Sequence, residues 1–334
     1  MKALARLGGY VTRTTFYTLG DERYFVGTVA LVNSLRLTGH DDEIVILDCG
    51  FTPSQQRLLA TTCTIIPTPE DRAGHFSADL KLIAPRAHTS DVKVVIDSDI
   101  IVTGNLHELV ASAGFGKIVA YADPESDRWY SEWEQIFQLR EPLRHEVYVC
   151  SGIVVFSQQH HPNLLDEWLA ACKQWLRASA LGVTDPVAQT DQDALNAVLM
   201  SMYPKEAVQL RPASEAPQAR ELRLGVDVVD PRALRCSYNG QPTLLLHSAG
   251  GPKPWIRLGA RRNAYTTLLT RLLVAQDLPI RVPSAAIPRW LRDGSGSAAY
   301  LSALHTYSSI RRSISRRLQF VPPNIRATFT RLLP

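Results

Sequence analysis

The sequence predicts an α/β protein with a mostly parallel sheet, and two observations support that fold class. Apolar, strand-like runs alternate with helical stretches through the first two hundred residues, which is the rhythm of an α/β sandwich. Composition agrees, since 45% of the 334 residues are hydrophobic and 20% are charged. These values exclude a disordered chain, a collagen and a small disulfide scaffold.

The predicted elements follow one another in chain order. Strands are expected at residues 13–19, 43–47, 63–66, 93–96, 117–122, 148–156 and 243–247. Helices are expected at residues 24–37, 53–59, 162–177 and 191–200. Phe25, Val29 and Leu35 show the helical spacing of the first helix, and Pro53 opens the second where its missing N–H costs nothing. Ligands of such sheets bind beyond the carboxyl ends of the strands.

Charge is distributed unevenly along the chain. The net charge is +4, but residues 278–334 hold nine arginines and one acid, so the rest of the chain is acidic. We therefore expect a domain at 1–277 and a basic, partly helical tail at 278–334, with the Gly- and Ser-rich residues 294–297 as a linker. One helical face of the tail is apolar, through Tyr300, Leu301, Leu304, Tyr307, Ile310, Ile314 and Leu318.

That tail has three interpretations. An amphipathic, arginine-rich helix suits the surface of an anionic membrane. The alternative is a helix packed on the domain with solvated arginines. Nucleic-acid binding is disfavoured by the acidic body, and we expect no nucleic-acid partner.

The cellular compartment can be predicted from the cysteine pattern and from the length of the apolar runs. The five cysteines are an odd number with irregular spacing and no CxxC, so a disulfide framework and a zinc ribbon are poorly supported. No run approaches the ~20 apolar residues of a membrane helix, and no apolar run follows the charges near Met1. The expectation is a cytoplasmic protein, peripheral at the inner face of the cell membrane through its tail. Oligomeric state is left open.

Asp97-Ser98-Asp99 directly follows a strongly apolar predicted strand. Two carboxylates separated by one residue can turn towards one hard cation, and oxygen ligands suit Mg²⁺ or Mn²⁺. The alternative is a loop of solvated acids. The position at a strand end favours the metal site.

Two further segments carry polar residues at element ends. The last predicted strand ends in His247, either a metal ligand or a core histidine, and a turn with Gly250 and Lys253 follows that could approach a phosphate. Thr190 is a plausible N-cap, and acids in the first turn of a helix favour its dipole, so helix structure alone explains Asp191 and Asp193. Gln192 is not explained by capping. The chain has no GxGxxG, no P-loop and no GxSxG, which argues against three common enzyme classes.

Five segments together resemble the retaining glycosyltransferases of family 8, the glycogenin and bacterial galactosyltransferase group. The resemblance spans residues 16–255, and its most specific part is His247-x-x-Gly250-x-x-Lys253-Pro254-Trp255. The other segments are Thr18-Leu19-Gly20-Asp21 with Tyr24, Lys93 to Leu109 around the DSD motif, Ser151-Gly152, and Asp191-Gln192-Asp193 with Leu195-Asn196.

The resemblance implies a GT-A fold, a single Rossmann-like domain that binds a UDP-sugar and Mn²⁺ or Mg²⁺. The implied metal ligands are Asp97, Asp99 and His247. The implied donor contacts are Thr18, Leu19, Asp21, Tyr24, Lys81, Ser98, Gly250 and Lys253, with Tyr24 stacking on uracil and Lys253 at the diphosphate. Asp191 and Gln192 would line the sugar pocket as the catalytic pair.

The implied activity is transfer of a hexose from its UDP-sugar to a glycan, lipid-linked or other hydroxyl acceptor, with retention of configuration. One residue departs from the family pattern, because Cys150 stands where an asparagine is usual. Aromatic residues that could stack on an acceptor sugar are Trp129, Tyr130, Trp133 and Trp168. For Trp168, which lies on an apolar helical face, a place in the core is the alternative. An inverting GT-A transferase, a sugar nucleotidyltransferase and a non-catalytic nucleotide-sugar-binding protein are the alternatives.

Overall fold

The computed structural model describes residues 6–7, 10–11, 13–70, 78–182, 186–187, 190–218, 221–256 and 263–292. The strands are β1 (Arg6–Leu7), β2 (Tyr10–Val11), β3 (Thr14–Gly20), β4 (Glu43–Asp48), β5 (Thr64–Pro67), β6 (Val92–Ile96), β7 (Ile100–Val102), β8 (Ile118–Ala122), β9 (Val149–Ser157), β10 (Val208–Arg211), β11 (Val226–Asp230), β12 (Arg235–Tyr238), β13 (Gln241–Pro242) and β14 (Leu245–His247). The helices are α1 (Phe25–Leu37), α2 (Pro53–Leu59), α3 (Ile83–Ala87), α4 (His107–Gly114), α5 (Trp133–Ile136), α6 (Leu164–Ala180), α7 (Thr190–Met202), α8 (Glu221–Leu224), α9 (Ala264–Val274) and α10 (Arg289–Arg292).

The central sheet has seven strands in the order β10-β8-β9-β6-β3-β4-β5. Only β9 runs against its neighbours, and every other pair in the sheet is parallel. The predicted α/β class with a mostly parallel sheet is therefore confirmed. Strands β3, β6 and β9 are buried along their whole length, so polar residues such as Thr18, Lys93 and Ser151 are enclosed together with their apolar neighbours.

Helices cover both faces of this sheet. On one face α1, α9 and the small β7–β14 pair enclose the largest apolar cluster, and on the other α6 and α7 enclose a second. Asn33 in α1 accepts a hydrogen bond from Ile280 N–H and donates to the Leu272 and Ile280 carbonyls, each at 2.9 Å. This buried amide joins the segment after α9 to the domain.

Residues 278–292 pack on the main domain although they belong to the predicted tail. Leu278, Ile280, Ile287 and Leu291 are buried in the same cluster as α1. The amphipathic part of the predicted tail, from residue 293 onward, lies outside the described residues. Within the described part of the chain, no helix is both long and apolar enough to cross a bilayer.

Two predicted details of α7 need correction. The helix begins at Thr190 itself, so Thr190 is its first residue rather than its N-cap. Asp193 lies in the first turn, as predicted, but the helix dipole does not by itself explain it, because its carboxylate is fully buried and accepts a hydrogen bond from Tyr148 Oη.

Candidate active site

Strand pairing brings the DSD motif and His247 together although they are 148 residues apart. β6 ends at Ile96, and the chain turns through Asp97-Ser98-Asp99 into β7. β7 pairs with β14 in antiparallel register, with His247 opposite Ile100. Ser248 N–H also donates to the Asp99 carbonyl at 3.0 Å. The imidazole therefore lies beside both carboxylates.

Asp97, Asp99 and His247 form a compact donor set. Nε2 of His247 lies 3.3 Å from Asp99 Oδ1 and 3.8 Å from Asp97 Oδ2. One ligand atom from each residue lies within 4.8 Å of the other two. Two carboxylate oxygens and an imidazole nitrogen suit a divalent cation such as Mn²⁺, so the residues present fit the predicted metal.

Two lysines hold the outer oxygens of this donor set. Lys81 Nζ lies 2.8 Å from Asp97 Oδ1, and Lys253 Nζ donates to Asp99 Oδ2 and, at 2.9 Å, to the Ser248 carbonyl. Each carboxylate thus has one oxygen on a lysine and the other on the side of His247. The lysines orient the carboxylates and leave the inner oxygens available to a cation.

The pKa values reflect burial and these ion pairs. Burial would raise the pKa of Asp99, but His247 and Lys253 outweigh it and hold that pKa well below its usual range. Burial opposes the charged form of His247, but the Asp99 carboxylate raises its pKa well above the usual value. Burial raises the pKa of Asp97, and Lys81 offsets this only in part. The site therefore favours a charged Asp99.

Gly152 and Cys150, two residues of β9, lie against the imidazole ring of His247. A Cβ at Gly152 would lie 2.5 Å from His247 Cε1, so only glycine leaves room for the ring. Cys150, also in β9, has its Sγ 3.7 Å from His247 Nδ1. A thiol is a weak hydrogen-bonding group, so it holds the imidazole less firmly than an amide would.

Lys81 links Asp191 to the donor set, because its ammonium group pairs with both Asp191 and Asp97. Asp191 Oδ2 accepts from Lys81 Nζ at 2.7 Å and from Ser151 Oγ at 2.8 Å. Lys81 also donates to the Ser151 carbonyl at 3.1 Å. Burial opposes the charge of Lys81, but Asp191 and Asp97 outweigh it and raise its pKa. The lysine is a permanent cation between two carboxylates.

Gln192 is held by both ends of its amide. Its carbonyl oxygen accepts from Ser151 N–H at 3.0 Å, and its NH₂ group donates to Asp123 Oδ2 at 3.0 Å. Gln218 Nε2 lies 3.3 Å from the same Asp123 oxygen. The bulge between β8 and β9 leaves Ser151 unpaired with β8, which frees its N–H for the amide.

A buried ion pair anchors the start of α7. Asp193 accepts from the Arg128 guanidinium at 2.8 and 2.9 Å and from Tyr148 Oη at 2.6 Å. Asn196, one turn further, bonds both the N–H and the carbonyl of Val149, at 2.7 and 2.8 Å. These contacts dock α7 on the end of β9 and so place Asp191 and Gln192.

Replacing Arg128 by methionine should destabilise the protein by about 3–5 kcal/mol, because Asp193 then keeps a buried charge without its cation. Thermal or urea unfolding measures the loss. Arg128→Lys, which keeps the charge, should lose less, and Arg177→Met on the exposed side of α6 is the matched control. An Arg128→Met protein as stable as wild type would show that the pair does not anchor α7.

Most of the predicted site residues line one cavity of about 350 Å³ at the carboxyl ends of the strands. The eleven that do so are Leu19, Tyr24, Lys81, Asp97, Ser98, Asp99, Asp191, Gln192, His247, Gly250 and Lys253. Ser151 and Ala249 complete the lining.

Thr18 and Asp21 do not line this cavity. Thr18 is buried within β3. Asp21 accepts from the backbone N–H groups of Arg23 and Tyr24, at 2.9 and 3.0 Å, and pairs with the Arg23 guanidinium. Its carboxylate thus shapes the turn into α1. Tyr24, in contrast, lines the cavity and lies edge-on to Trp255, with ring centroids 5.9 Å apart.

The aromatic residues proposed for the acceptor differ in burial. Trp133 and Trp168 are fully buried, and the Trp168 indole donates to the Asp191 carbonyl at 2.7 Å. Neither ring is free to stack on a sugar in this structure. Trp129 and Tyr130 are half-buried.

Asp123, Gln218 and Arg128 were not identified from the sequence as residues of this site. Ser151 was named there, but its contacts with Asp191 and Gln192 were not predicted. Asp123 directly follows the predicted strand 117–122, so the rule that polar residues at strand ends meet at one edge could have found it. Gln218 and Arg128 lie in segments without periodicity, and no local pattern points to them.

Neither a protein-family model nor a curated protein sequence matches the chain. Solved structures do. An active-site mutant of LgtC shares 19% identity over 81% of this chain and 98% of its own, with a TM-score of 0.56. The galactosyltransferase LgtC in complex with donor and acceptor sugar analogues shares 19% identity over 79% of this chain and 98% of its own, with a TM-score of 0.54. The bifunctional glycosyltransferase WbbM, in its apo form, shares 18% identity over 80% of this chain and 50% of its own, with a TM-score of 0.51.

These likenesses show a shared fold. The chain has the GT-A type, Rossmann-like fold of these glycosyltransferases, as the sequence predicted. The match to LgtC covers nearly all of that chain, so the two share the whole domain and not a fragment of it.

Proposed function

We propose that this protein is a retaining glycosyltransferase that transfers a hexose from a UDP-sugar to a hydroxyl acceptor and depends on Mn²⁺ or Mg²⁺. The acceptor is a glycan, a lipid-linked sugar or another hydroxyl compound. The observation that carries the proposal is the single cavity in which Asp97, Asp99 and His247 face Asp191 and Gln192, with Lys253 at its rim. The shared fold with LgtC and WbbM supports it.

The chemistry asked of the site is the breaking of a sugar–phosphate bond. Negative charge grows on the departing diphosphate as an oxocarbenium-like sugar forms. A bound divalent cation would supply Lewis-acid stabilisation of that charge from Asp97, Asp99 and His247. Lys253, which follows the turn at Gly250, contributes a second positive charge. Such groups accelerate the reaction when they bind the transition state more strongly than the donor.

Retention of configuration is proposed to follow from attack on the face that the diphosphate leaves. Both candidate nucleophiles are already engaged, Asp191 by Lys81 and Ser151, and Gln192 by Asp123 and Ser151. An amide is also a poor nucleophile. The departing phosphate would then accept the proton of the acceptor hydroxyl. A covalent sugar on Asp191 after incubation with donor alone, seen by mass spectrometry, would contradict this.

Donor hydrolysis tests the proposed function directly. The full chain is incubated with a panel of UDP-hexoses and Mn²⁺, and release of UDP is followed with and without EDTA. Metal-dependent release from at least one UDP-sugar supports the proposal, and a panel of glycan and lipid-linked acceptors then identifies the acceptor. The anomeric configuration of the product, read by proton NMR, distinguishes retention from inversion. Absence of release and of transfer with every sugar and metal would refute it.

Changing Cys150 to asparagine should leave the fold intact and increase the affinity for Mn²⁺. An amide at this position can bond Nδ1 of His247, which now lies 3.7 Å from a weakly bonding thiol. Outer-sphere partners of a metal-bound histidine are commonly worth 10–100-fold in affinity. Titration calorimetry with Mn²⁺ measures the change. Cys49→Ser is the matched control, and Cys172→Asn is unsuitable as a control. The donor ranking should also change. An unchanged ranking would show that Cys150 does not read the sugar.

We propose that the basic tail binds an anionic membrane surface. A chain ending at residue 293 keeps the buried Leu278, Ile280 and Leu291, so it should remain folded and hydrolyse donor. It should no longer sediment with phosphatidylglycerol-containing liposomes at low salt, since each arginine near such a surface adds about 1 kcal/mol. Full-length protein that fails to bind these liposomes would refute the membrane proposal.

A further inference from the structure

A second cluster of polar side chains lies at the end of β6 opposite to Asp97. Lys93 is the second residue of that strand and is only 2% exposed. Its neighbours are Tyr17 in β3 and the segment after α3 that contains His88 and Ser90. The strand therefore carries a buried lysine at one end and the candidate active site at the other.

The ammonium group of Lys93 has three N–H donors and two hydrogen-bond acceptors among the described residues. Its Nζ donates to the His88 carbonyl at 2.7 Å and lies 3.5 Å from Tyr17 Oη, above whose ring it sits at 5.1 Å. Tyr17 Oη is itself engaged, 2.8 Å from Ser90 Oγ and 3.0 Å from His88 Nδ1. Among the residues that the structure describes, no carboxylate forms an ion pair with Lys93.

A cavity of about 270 Å³ opens beside this lysine. Its polar lining includes Arg86, His88, Ser90, Lys93, Gln158 and Asp166. Arg86 and Asp166 neutralise each other at 2.6 Å, and Nε2 of His88 lies 3.4 Å from Glu43 at the strand edge. Of the charged side chains described in the lining, Lys93 is thus the one without an opposite partner.

The charge of Lys93 is costly in this position. Burial, with a contribution from Arg13, lowers its pKa to about 8. A buried charge is tolerated when it is paired, so an anion in the cavity would restore what burial removes. Hydrogen bonds between an ammonium group and an oxyanion are also among the strongest in proteins.

We propose that this cavity is a binding site for a small oxyanion, a phosphate or carboxylate group, with Lys93 Nζ and Ser90 Oγ as its donors. The site lies at the amino end of the sheet, so it is separate from the cavity around Asp97 and does not depend on the proposed function. Inorganic phosphate or a phosphorylated metabolite would present the same group.

Calorimetric titration of the full chain with inorganic phosphate tests the site, at an ionic strength held constant with chloride. Lys93→Met should weaken phosphate binding about tenfold or more, as expected when a bond to a charged group is lost. The exposed Lys173→Met on α6 is the matched control and should bind as wild type does. Phosphate that binds near Lys253 is common to all three proteins and cancels in the comparison. Acetate replaces phosphate in a second series, which distinguishes a carboxylate from a phosphate site.

Donor hydrolysis by Lys93→Met should stay within about twofold of wild type, because the two cavities are at opposite ends of β6. Equal phosphate and acetate affinities in wild type and Lys93→Met would overturn the proposal. If that variant does not fold, Ser90→Ala decides, since it should weaken binding severalfold by loss of one neutral hydrogen bond. Unchanged binding there would equally overturn it.

Discussion

Asp99→Asn should reduce donor hydrolysis about a thousandfold or more while the protein stays folded. The substitution keeps the shape of the side chain but removes the charge that faces His247 at 3.3 Å and binds Lys253. Loss of one preorganised charge-stabilising group costs about 10²–10³ in turnover, and a metal ligand adds the loss of cation affinity. Initial rates of UDP release with saturating Mn²⁺ measure the first effect, and Mn²⁺ titration calorimetry measures the second.

Asp230→Asn serves as the matched control, since its carboxylate pairs with an exposed arginine on the three-stranded sheet away from the cavity. It should retain wild-type rates. The thermal midpoint of Asp99→Asn should be compared with that of the metal-free wild type. Wild-type turnover of Asp99→Asn in the presence of EDTA would mean that this carboxylate does not serve a metal.

Lys253→Ala should lower turnover about 10²–10³-fold, with a smaller change in donor KM. Lys253 donates to Asp99 and to the Ser248 carbonyl, so it is held in place before the donor binds. A charge fixed in this way interacts more strongly with the leaving group as that group becomes negative, which corresponds to about 2–4 kcal/mol. Steady-state kinetics with the preferred UDP-sugar separate kcat from KM.

The exposed Lys205→Ala is the control for loss of a lysine, because Lys205 pairs with Glu146 and neither residue lines the cavity. Mn²⁺ affinity should be measured in parallel, since Lys253 also orients Asp99. If Lys253→Ala raises KM and leaves kcat unchanged, the lysine holds the donor equally in ground and transition states.

The candidate site could be predicted to the extent that its residues follow strands or stand in compact motifs. Asp97 and Asp99 end an apolar strand, and His247 ends another with Gly250 and Lys253 behind it. Such patterns are local, and the fold places the ends of parallel strands at one edge. The side chains that hold these residues in place come from distant parts of the sequence. Lys81 reaches Asp97 across 16 residues and Asp191 across 110, and Asp123 holds Gln192 across 69.

The capping interpretation of α7 shows the limit of local reasoning. Acids in the first turn of a helix are ordinarily explained by the helix dipole. Here Asp193 is fully buried against Arg128 and Tyr148, and Asp191 binds Lys81. The same residues would have satisfied either explanation, because helix periodicity says which face a residue occupies and not what packs against it.

The sequence by itself determined the α/β class, the approximate positions of the buried strands and the identity of the groups that could hold a cation and a phosphate. Those properties follow from apolar periodicity and from the chemistry of single side chains. Only the tertiary structure decided that β7 pairs with β14, which sets His247 opposite Ile100, and that Gly152 leaves room for the ring. Register and close packing depend on contacts between distant segments, and a one-dimensional pattern does not specify them. For the same reason the sequence could not show that Lys93 has no carboxylate partner among the described residues, since a lysine's partner depends on what the fold places around it.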